Sequence, residues 1–314
     1  MRLIIDTDPG IDDALALLYA LASPEARIEA ITTVAGNVDV EKTTRNAQHV
    51  LRHVGLADAP AVIRGCAAPL QRKPVYAGHV HGEDGLAGVW DGVEQGHEEG
   101  AVAAITALAR RYPGEITLLA LGPLTNVAAA MAADGEGFAM LRRVVAMGGV
   151  VQPPGNITPV AEFNFHADPH AARAVLRSPV PVTIVPLDLT RRAVLRKELL
   201  NAWMAGRTDA RMRFVGALCH RYFRFYSAVH GSEFCFLHDP LATAIALDGG
   251  LAEVERMRLE IETEGEMAAG MVVRDLRPGR QTGCEVEVVT GCRMEEFFAR
   301  FEERVVRQPD VSYE

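Results

Sequence analysis

Residues 3–17, LIIDTDPGIDDALAL, constrain the fold more than any other segment of the chain. A short apolar run is broken at Pro9-Gly10, and apolar residues then continue at helical spacing. Proline lacks an amide donor and glycine tolerates positive φ, so a strand ends at this break. Asp12 and Asp13 stand where a helix would begin, and the free N–H groups of a first helical turn favour acidic residues. The segment therefore predicts a β-strand, a tight turn and a helix.

Four carboxylates crowd this turn, namely Asp6, Asp8, Asp12 and Asp13. Two like charges ~4 Å apart repel by roughly 4 kcal/mol at an effective dielectric constant of ~20. Helix capping accommodates one or two such acids, and the others favour a bound cation. Hard oxygen ligands in a loop indicate Ca²⁺ or Mg²⁺. The alternative interpretation is a well-capped helix with solvated acids. Asp6 lies inside the strand, where we expect it to accept hydrogen bonds from backbone N–H groups and to bind no metal.

The composition limits the class of partner. Among 314 residues, 32 basic side chains face 41 acidic ones, and no basic run is present, which argues against nucleic acid as a ligand. No apolar stretch reaches the ~18 residues that suggest a membrane span. No secretory signal is visible at the start of the sequence. The five cysteines are scattered without paired spacing, which indicates reduced thiols and predicts a cytoplasmic protein.

Strand-like and helical segments alternate along the chain. This alternation predicts an α/β fold, in which a mainly parallel central sheet is flanked by helices, and we interpret residues 1–314 as a single domain. A helix is expected near residues 98–111 and mainly helical structure over 196–227. The expected strands after the first are 27–35, 61–64, 116–121, 144–147, 182–185, 254–261, 271–274 and 285–289, with a last helix at 294–306.

Residues at the carboxyl ends of several of these strands are candidates to contact a ligand. Asp8 follows the first strand, Asn37 the second and Asn156 the fifth, and Leu121-Gly122 stands at the end of the fourth. In open α/β sheets, ligands bind beyond the carboxyl ends of the strands. We therefore expect these residues to converge on one site. The long irregular stretches 65–96 and 148–165 are of the kind that carries function.

These motifs resemble those of a known family. Residues 6–13, DTDPGIDD, are similar to the signature of nucleoside hydrolases of the inosine–uridine-preferring type. Further matching segments follow in family order up to residue 240, namely 35–37, 81–82, 121–126, 155–159, 161–164 and 238–240. The resemblance implies hydrolysis of the N-glycosidic bond of ribonucleosides to ribose and free base. It also implies a homodimer or a homotetramer.

The resemblance implies a Ca²⁺ ion held by Asp8, Asp13, Asp239 and the backbone carbonyl of Leu121. Asp8 would also take the proton of the metal-bound water that attacks C1′. His238 would protonate the departing base, since the ordinary imidazole pKa of ~6.5 suits proton transfer near neutrality.

The resemblance also assigns residues to the substrate. Asp12 and Asn37 would contact the 2′-hydroxyl and the attacking water, and His81 would lie in a mobile loop over the base. The 3′- and 5′-hydroxyls would be bound by Asn156, Glu162 and Asn164.

Tyr222 and Tyr226 are one helical turn apart, which fits either a packing stripe or a base pocket. The family has tyrosines at these offsets near the base, and we favour the base pocket. Glu162 and Asn164 would share one face if their segment were extended. Asn126 is expected to be a structural residue at the start of a helix.

Two alternatives stay open at this point. Asp6-Thr7-Asp8 after an apolar strand is also similar to the opening of phosphatases and phosphotransferases with an aspartyl nucleophile. That chemistry needs a downstream lysine, and Lys42, Lys73 and Lys197 are the only lysines in the sequence. The second alternative is a non-catalytic, calcium-dependent ribose-binding module, which would need no proton donor. The preferred base is not determined by the sequence.

Overall fold

The computed structural model describes residues 1–54, 58–90, 92–93, 97–280 and 282–308. Within these ranges the strands are β1 (Arg2–Thr7), β2 (Arg27–Thr33), β3 (Val62–Arg64), β4 (Glu98–Glu99), β5 (Ile116–Ala120), β6 (Arg143–Met147), β7 (Val182–Val185), β8 (Val194–Arg196), β9 (Phe234–Phe236), β10 (Ala252–Ile261), β11 (Val272–Val273) and β12 (Cys284–Cys292).

The first helix of the same ranges begins directly after the opening turn, and the others follow along the chain. They are α1 (Ile11–Leu21), α2 (Val40–Val54), α3 (Gly78–His81), α4 (Ala101–Arg111), α5 (Thr125–Ala133), α6 (Gly135–Phe138), α7 (Phe163–Ala167), α8 (Pro169–Leu176), α9 (Leu187–Thr190), α10 (Lys197–Met204), α11 (Ala210–His230), α12 (His238–Leu247) and α13 (Met294–Phe301). A 3₁₀ turn spans Gly249–Leu251, and a π-helical turn, Glu302–Val306, follows α13.

Ten of the described strands form one sheet in the order β11-β10-β12-β7-β6-β5-β1-β2-β3-β4. In this order, every neighbouring pair from β12 to β4 is parallel. At the other edge, β10 pairs antiparallel with both β12 and β11. This is the predicted α/β fold with a mainly parallel sheet. The strand–turn–helix prediction for the opening segment is also confirmed, since β1 ends at Thr7 and α1 begins at Ile11.

Helices cover both faces of the sheet because successive side chains of a buried strand point to opposite faces. Leu3 and Ile5 of β1 pack in one apolar cluster with α1 and α11, whereas Ile4 packs in another cluster with α4, α5 and α8. These aliphatic clusters fix the strands, and so they fix the loops at the carboxyl ends. In the described ranges, no helix has both the length and the apolar composition that crossing a bilayer requires.

One sequence prediction needs correction, and one feature was not predicted. The helix expected from Glu98 begins at Ala101, because Glu98–Glu99 pairs with β3 as a short edge strand and Gly100 takes a left-handed conformation with φ of 94°. The helical structure expected over 196–227 is confirmed by α10 and α11. On either side of these helices, β8 and β9 form a small antiparallel pair that sequence analysis did not predict.

The stretch expected to be irregular over residues 65–96 contains the short helix α3. Residues 91 and 94–96 of this stretch lie outside the described residues.

Candidate active site

Residues that follow several parallel strands line one cavity of about 490 Å³. Asn37 comes after β2, Leu121 after β5 and Asn156 after β6, so the cavity lies at the carboxyl ends of the strands. The candidate residues in its wall are Asp12, Asn37, His81, Leu121, Asn156, Glu162, Asn164, Tyr222, Tyr226, His238 and Asp239. Asp8 and Asp13 are buried next to these residues and do not form part of the wall.

Asp8 is wedged between two glycines. Its Oδ2 atom accepts a hydrogen bond from the backbone N–H of Asn37 at 2.6 Å. A Cβ atom at Gly122 would come within 2.5 Å of Oδ1, and one at Gly36 would come closer still to Oδ2. Asp8 can hold this position only because neither neighbour has a side chain.

Asp13 ties together the parts of the opening turn. Its Oδ1 atom accepts hydrogen bonds from Thr7 Oγ1 at 2.6 Å and from the backbone N–H of Asp8 at 3.3 Å. Its Oδ2 atom accepts from the backbone N–H of Gly10 at 3.0 Å and from Asn37 Nδ2 at 3.1 Å. One carboxylate therefore links the end of β1, the start of α1 and the loop after β2.

Three carboxylates form what we call the acidic group: Asp12, Asp13 and Asp239. Each offers an oxygen atom, and these atoms lie within 4.8 Å of one another. Sequence analysis assigned Asp12 to the sugar and Asp8 to the metal, whereas the geometry places Asp12 in this group and leaves Asp8 outside it. Hard oxygen donors at this spacing suit a divalent cation such as Ca²⁺ or Mg²⁺.

The electrostatics of the acidic group favour a cation. Burial, and then the neighbouring carboxylates, raise the pKa of Asp12 and of Asp239 well above the ordinary carboxyl value. The pKa of Asp8 is raised well above its ordinary value by the same two causes. Among the described residues, no lysine or arginine forms an ion pair with these acids. A bound cation would supply the positive charge that the protein itself does not place there.

Glu162 and Asn164 are held by backbone groups around α7. Glu162 caps this helix, because its carboxylate accepts from the backbone N–H groups of Asn164 and Phe165, and it also accepts from Gly149 N at 2.8 Å. Asn164 Nδ2 donates to the carbonyl oxygen of Leu121 at 2.7 Å. Glu162 is the N-cap residue and Asn164 lies in the helix, so the extended segment in which they would share one face is not formed. The two side chains still reach the same cavity.

Asn156 lies at the exposed side of the cavity. Its Oδ1 atom accepts a hydrogen bond from the backbone N–H of Phe163 at 2.9 Å. The loop after β6 is thereby joined to the start of α7.

Four rings of the cavity wall form what we call the aromatic group: Tyr222, Phe225, Tyr226 and Phe236. The rings of Tyr222 and Tyr226 are 5.1 Å apart, and Phe236 lies 5.1 Å from Tyr226. The Tyr222 hydroxyl also forms a hydrogen bond with Asp12, which connects this group to the acidic group. The two tyrosines are therefore both packed in the core and presented to the cavity.

His81 has a fixed position in the structure. It belongs to α3, is only 5% exposed, and its Nδ1 atom accepts a hydrogen bond from the backbone N–H of Ile11 at 3.0 Å. Burial lowers the pKa of His81 to about 3. His81 thus lies in a short helical turn, and its imidazole accepts the otherwise free N–H at the start of α1.

His238 is the first residue of α12 and lines the cavity. Its Nδ1 atom lies 2.7 Å from the hydroxyl oxygen of Thr190. Burial, with a smaller contribution from the charge of Arg191, lowers the pKa of His238 to about 3. Burial therefore favours the neutral form of the ring, whereas sequence analysis argued from the ordinary imidazole pKa.

Asp6 and Asn126 form a polar centre behind the cavity. Asp6 Oδ1 accepts from Thr32 Oγ1 at 2.6 Å and from Asn126 Nδ2 at 2.7 Å, so its partners are side chains and not the backbone groups that we expected. Asn126 also donates to the carbonyl oxygen of Thr33 and accepts from the backbone N–H of Cys66. The expectation that Asn126 is structural is consistent with these three contacts.

We expect Asn126→Ala to lower the free energy of unfolding by about 2–4 kcal/mol, because buried donors and acceptors lose their partner. Denaturant unfolding measures the change, and Asn201→Ala, at an exposed position of α10, is the control. An Asn126→Ala protein as stable as this control would contradict the structural role.

Comparison with known proteins identifies the family. The model of the family described as "Inosine-uridine preferring nucleoside hydrolase" matches residues 3–299. The chain belongs to this family. The non-specific ribonucleoside hydrolase RihC of Escherichia coli is 39% identical over 279 residues, which are 88% of this chain and 88% of RihC.

Solved structures of nucleoside hydrolases have the same fold. A plant nucleoside hydrolase superposes with a TM-score of 0.91 at 29% identity and covers 98% of this chain and 99% of its own. A purine-preferring ribonucleoside hydrolase from Gardnerella vaginalis has a TM-score of 0.88 at 29% identity, with 98% of each chain covered. As a nucleoside hydrolase, the chain is a nucleoside N-ribohydrolase. This decides against the phosphatase and the non-catalytic alternatives.

Sequence analysis missed three residues that contact the surroundings of the cavity in this nucleoside hydrolase: Arg191, which lines the cavity, and Asp188 and Thr190, which do not. All three follow β7 at its carboxyl end, so the strand-end rule that singled out Asp8 and Asn37 applies to them as well. Their contacts are with residues more than thirty positions away in the chain. No local motif marks them for that reason.

Proposed function

We propose that this enzyme cleaves ribonucleosides of the inosine–uridine type, using Ca²⁺, water activation by Asp8 and protonation of the base by His238. One observation carries the proposal. A single cavity is lined by Asp12 and Asp239 of the acidic group, by amide and carboxylate side chains, and by His238 beside the aromatic group.

The acidic side of the cavity suits the sugar and the water. A cation held there by Asp8, Asp13, Asp239 and the Leu121 carbonyl would orient the ribose hydroxyls and lower the pKa of the attacking water. Asp8 then takes the proton of this water as it attacks C1′. Asp12 belongs to the acidic group and lies close enough to share the ligand role.

Polar side chains stabilise the charge that develops on the sugar. Breaking the C1′–N bond builds positive charge on the ribose and leaves the electron pair on the base. Glu162 is buried and lines the cavity, and Asn156 and Asn164 present amides beside it. These groups would bind the 3′- and 5′-hydroxyls, fix the orientation of the ribose and stabilise its positive charge. Asn37 is proposed to contact the 2′-hydroxyl.

The aromatic side of the cavity suits the base. Rings of Tyr222 and Tyr226 offer stacking surface, and His81 lies 5.6 Å from the Tyr222 ring. His238 donates a proton to the base as the C1′–N bond breaks. The negative charge on the departing base favours the protonated ring, which opposes the effect of burial on the His238 pKa.

The substrate range is proposed to be broad. RihC carries the description non-specific, and a fold neighbour at 29% identity is described as purine-preferring. We infer that stacking on the aromatic group accepts purine and pyrimidine ribonucleosides. We also place the reaction in the cytoplasm, since all five cysteines are free thiols, and propose a homodimer or homotetramer from the family resemblance.

Ribonucleosides should be cleaved far faster than their 2′-deoxy analogues, because buried carboxylates and a cation lose their partner when the 2′-hydroxyl is absent. We expect a loss of about 10³ or more in kcat/KM between inosine and 2′-deoxyinosine. The measurement follows free base and reducing sugar over a panel of nucleosides. Comparable values for the two inosines would overturn the proposed sugar site.

A further inference from the structure

The segment that follows β7 contacts two parts of the cavity at once. Leu187 and Arg191 both line the cavity. Between them in the sequence, Thr190 contacts His238 and Asp188 contacts the loop after β6. Given the proposed function, we propose that Asp188, Thr190 and Arg191 are positioning residues of the reaction. Thr190 sets the ring of His238, and Asp188 with Arg191 holds the loop that presents Asn156.

Thr190 acts on the ring of the proposed acid. It is fully buried, and its hydroxyl oxygen lies 2.7 Å from His238 Nδ1. Within the described residues, His238 Nε2 has no hydrogen-bond partner, and His238 faces the cavity. The Thr190 contact thus leaves Nε2 as the ring nitrogen available to the base.

A hydroxyl is well suited to this place. It can donate to Nδ1 of a neutral imidazole and accept from Nδ1–H of an imidazolium, so the ring orientation is kept in both states. Valine has nearly the same shape as threonine but can do neither, whereas serine can do both. The pair Thr190→Val and Thr190→Ser therefore separates hydrogen bonding from packing.

Asp188 holds the first part of the loop after β6. Its Oδ2 atom accepts from the backbone N–H of Val151 at 2.8 Å, and its Oδ1 atom accepts from that of Gln152 at 2.7 Å. A carboxylate that binds two successive N–H groups fixes the backbone direction at the point where the loop leaves the sheet.

Arg191 holds the next part of the same loop. Its Nη1 atom donates to the carbonyl oxygen of Pro154 at 2.5 Å, and its Nη2 atom donates to that of Gly155 at 2.7 Å. Asn156 is the next residue and lines the cavity. The planar fork of the guanidinium fits two successive carbonyl groups, which an ammonium group cannot do with the same geometry.

The contact of Thr190 with His238 and the contacts of Asp188 and Arg191 with the loop predict different kinetics. Misorienting His238 should lower kcat only where the leaving group needs a proton, because a base such as hypoxanthine leaves poorly without one, whereas p-nitrophenolate leaves unaided. Loosening the loop should raise KM for both kinds of riboside, because both carry the same ribose.

The experiment compares inosine with p-nitrophenyl riboside for the wild type and four variants. Thr190→Val should lower kcat for inosine about 10–100-fold and leave the nitrophenyl riboside within about threefold, and Thr190→Ser should restore inosine hydrolysis. Arg191→Lys, which keeps the charge beside His238, should raise KM about tenfold for both ribosides. Arg192→Lys, at the adjacent exposed arginine, is the matched control and should change neither.

The outcomes separate this inference from the proposed function. A wild-type protein that cleaves neither riboside overturns the proposed function, and the inference falls with it. Wild-type activity together with equal losses on both substrates for Thr190→Val, or failure of Thr190→Ser to restore hydrolysis, overturns the role of Thr190 alone. An unchanged KM in Arg191→Lys overturns the role of the loop contact alone.

Discussion

Asp239→Asn is expected to abolish tight binding of a divalent cation and to lower kcat/KM for inosine by about 10³, or roughly 4 kcal/mol. The substitution removes one negative charge from the acidic group and keeps the size of the side chain. Asp239 is buried and forms a hydrogen bond with Asp13, which an asparagine amide can replace by donating to that carboxylate. Calorimetric titration with CaCl₂ and the rate of base release measure the two effects.

The same variant tests whether the loss comes from the metal site or from unfolding. Removal of a buried like charge relieves repulsion, so the melting temperature of the metal-free Asp239→Asn protein should equal or exceed that of the metal-free wild type. Asp134→Asn, at a partly exposed carboxylate paired with Arg110, is the control and should bind the cation normally. Asp13→Ala is less suitable, because it would also remove the acceptor of four hydrogen bonds. Normal cation binding by Asp239→Asn would refute the proposed metal site.

His238→Ala should lower kcat for inosine by about 10²–10⁴ and leave p-nitrophenyl riboside close to the wild-type rate. The expectation follows from the role proposed for this residue, since a general acid matters in proportion to how badly the leaving group departs unaided. Steady-state kinetics with both ribosides measures the difference. Asp8→Ala is the contrasting variant and should damage hydrolysis of both, because both reactions need the activated water.

Other results would assign His238 differently. Equal losses on both ribosides would mean that the ring maintains the geometry of the sugar or of the metal site, which adjoins it through Asp239. Little loss on either would move the acid role to another group of the wall. His81 and Tyr226 are the candidates, although the Nδ1 atom of His81 already accepts a hydrogen bond from Ile11.

Much of the fold follows from local patterns in the sequence. The turn at Pro9-Gly10 is determined by the φ preferences of two residues, and the buried strands by short aliphatic runs. The strand-end rule predicted that Asn37, Leu121 and Asn156 would meet, because parallel strands all present their carboxyl ends at one edge. These predictions needed no knowledge of distant contacts.

The features that sequence analysis missed depend on contacts between distant segments. The β8–β9 pair joins Val194 to Phe236 across the whole length of α10 and α11, and neither strand has a strong pattern of its own. His81 accepts a hydrogen bond from the backbone N–H of Ile11, seventy positions away. Nothing in the sequence distinguishes Thr190 from other buried threonines, and only the fold places His238 beside it. Local pattern cannot indicate such partners.

The two glycines that contact Asp8 should be under selection even though they take no part in the chemistry. Gly36 and Gly122 contribute no functional group, yet any side chain there would displace the carboxylate between them. In a survey of natural variants, both positions should tolerate substitution as poorly as Asp8 itself, because a side chain at either one would occupy the space of the Asp8 carboxylate. A redesign of this enzyme for another nucleophile should therefore keep Asp8, Gly36 and Gly122 together or replace all three together.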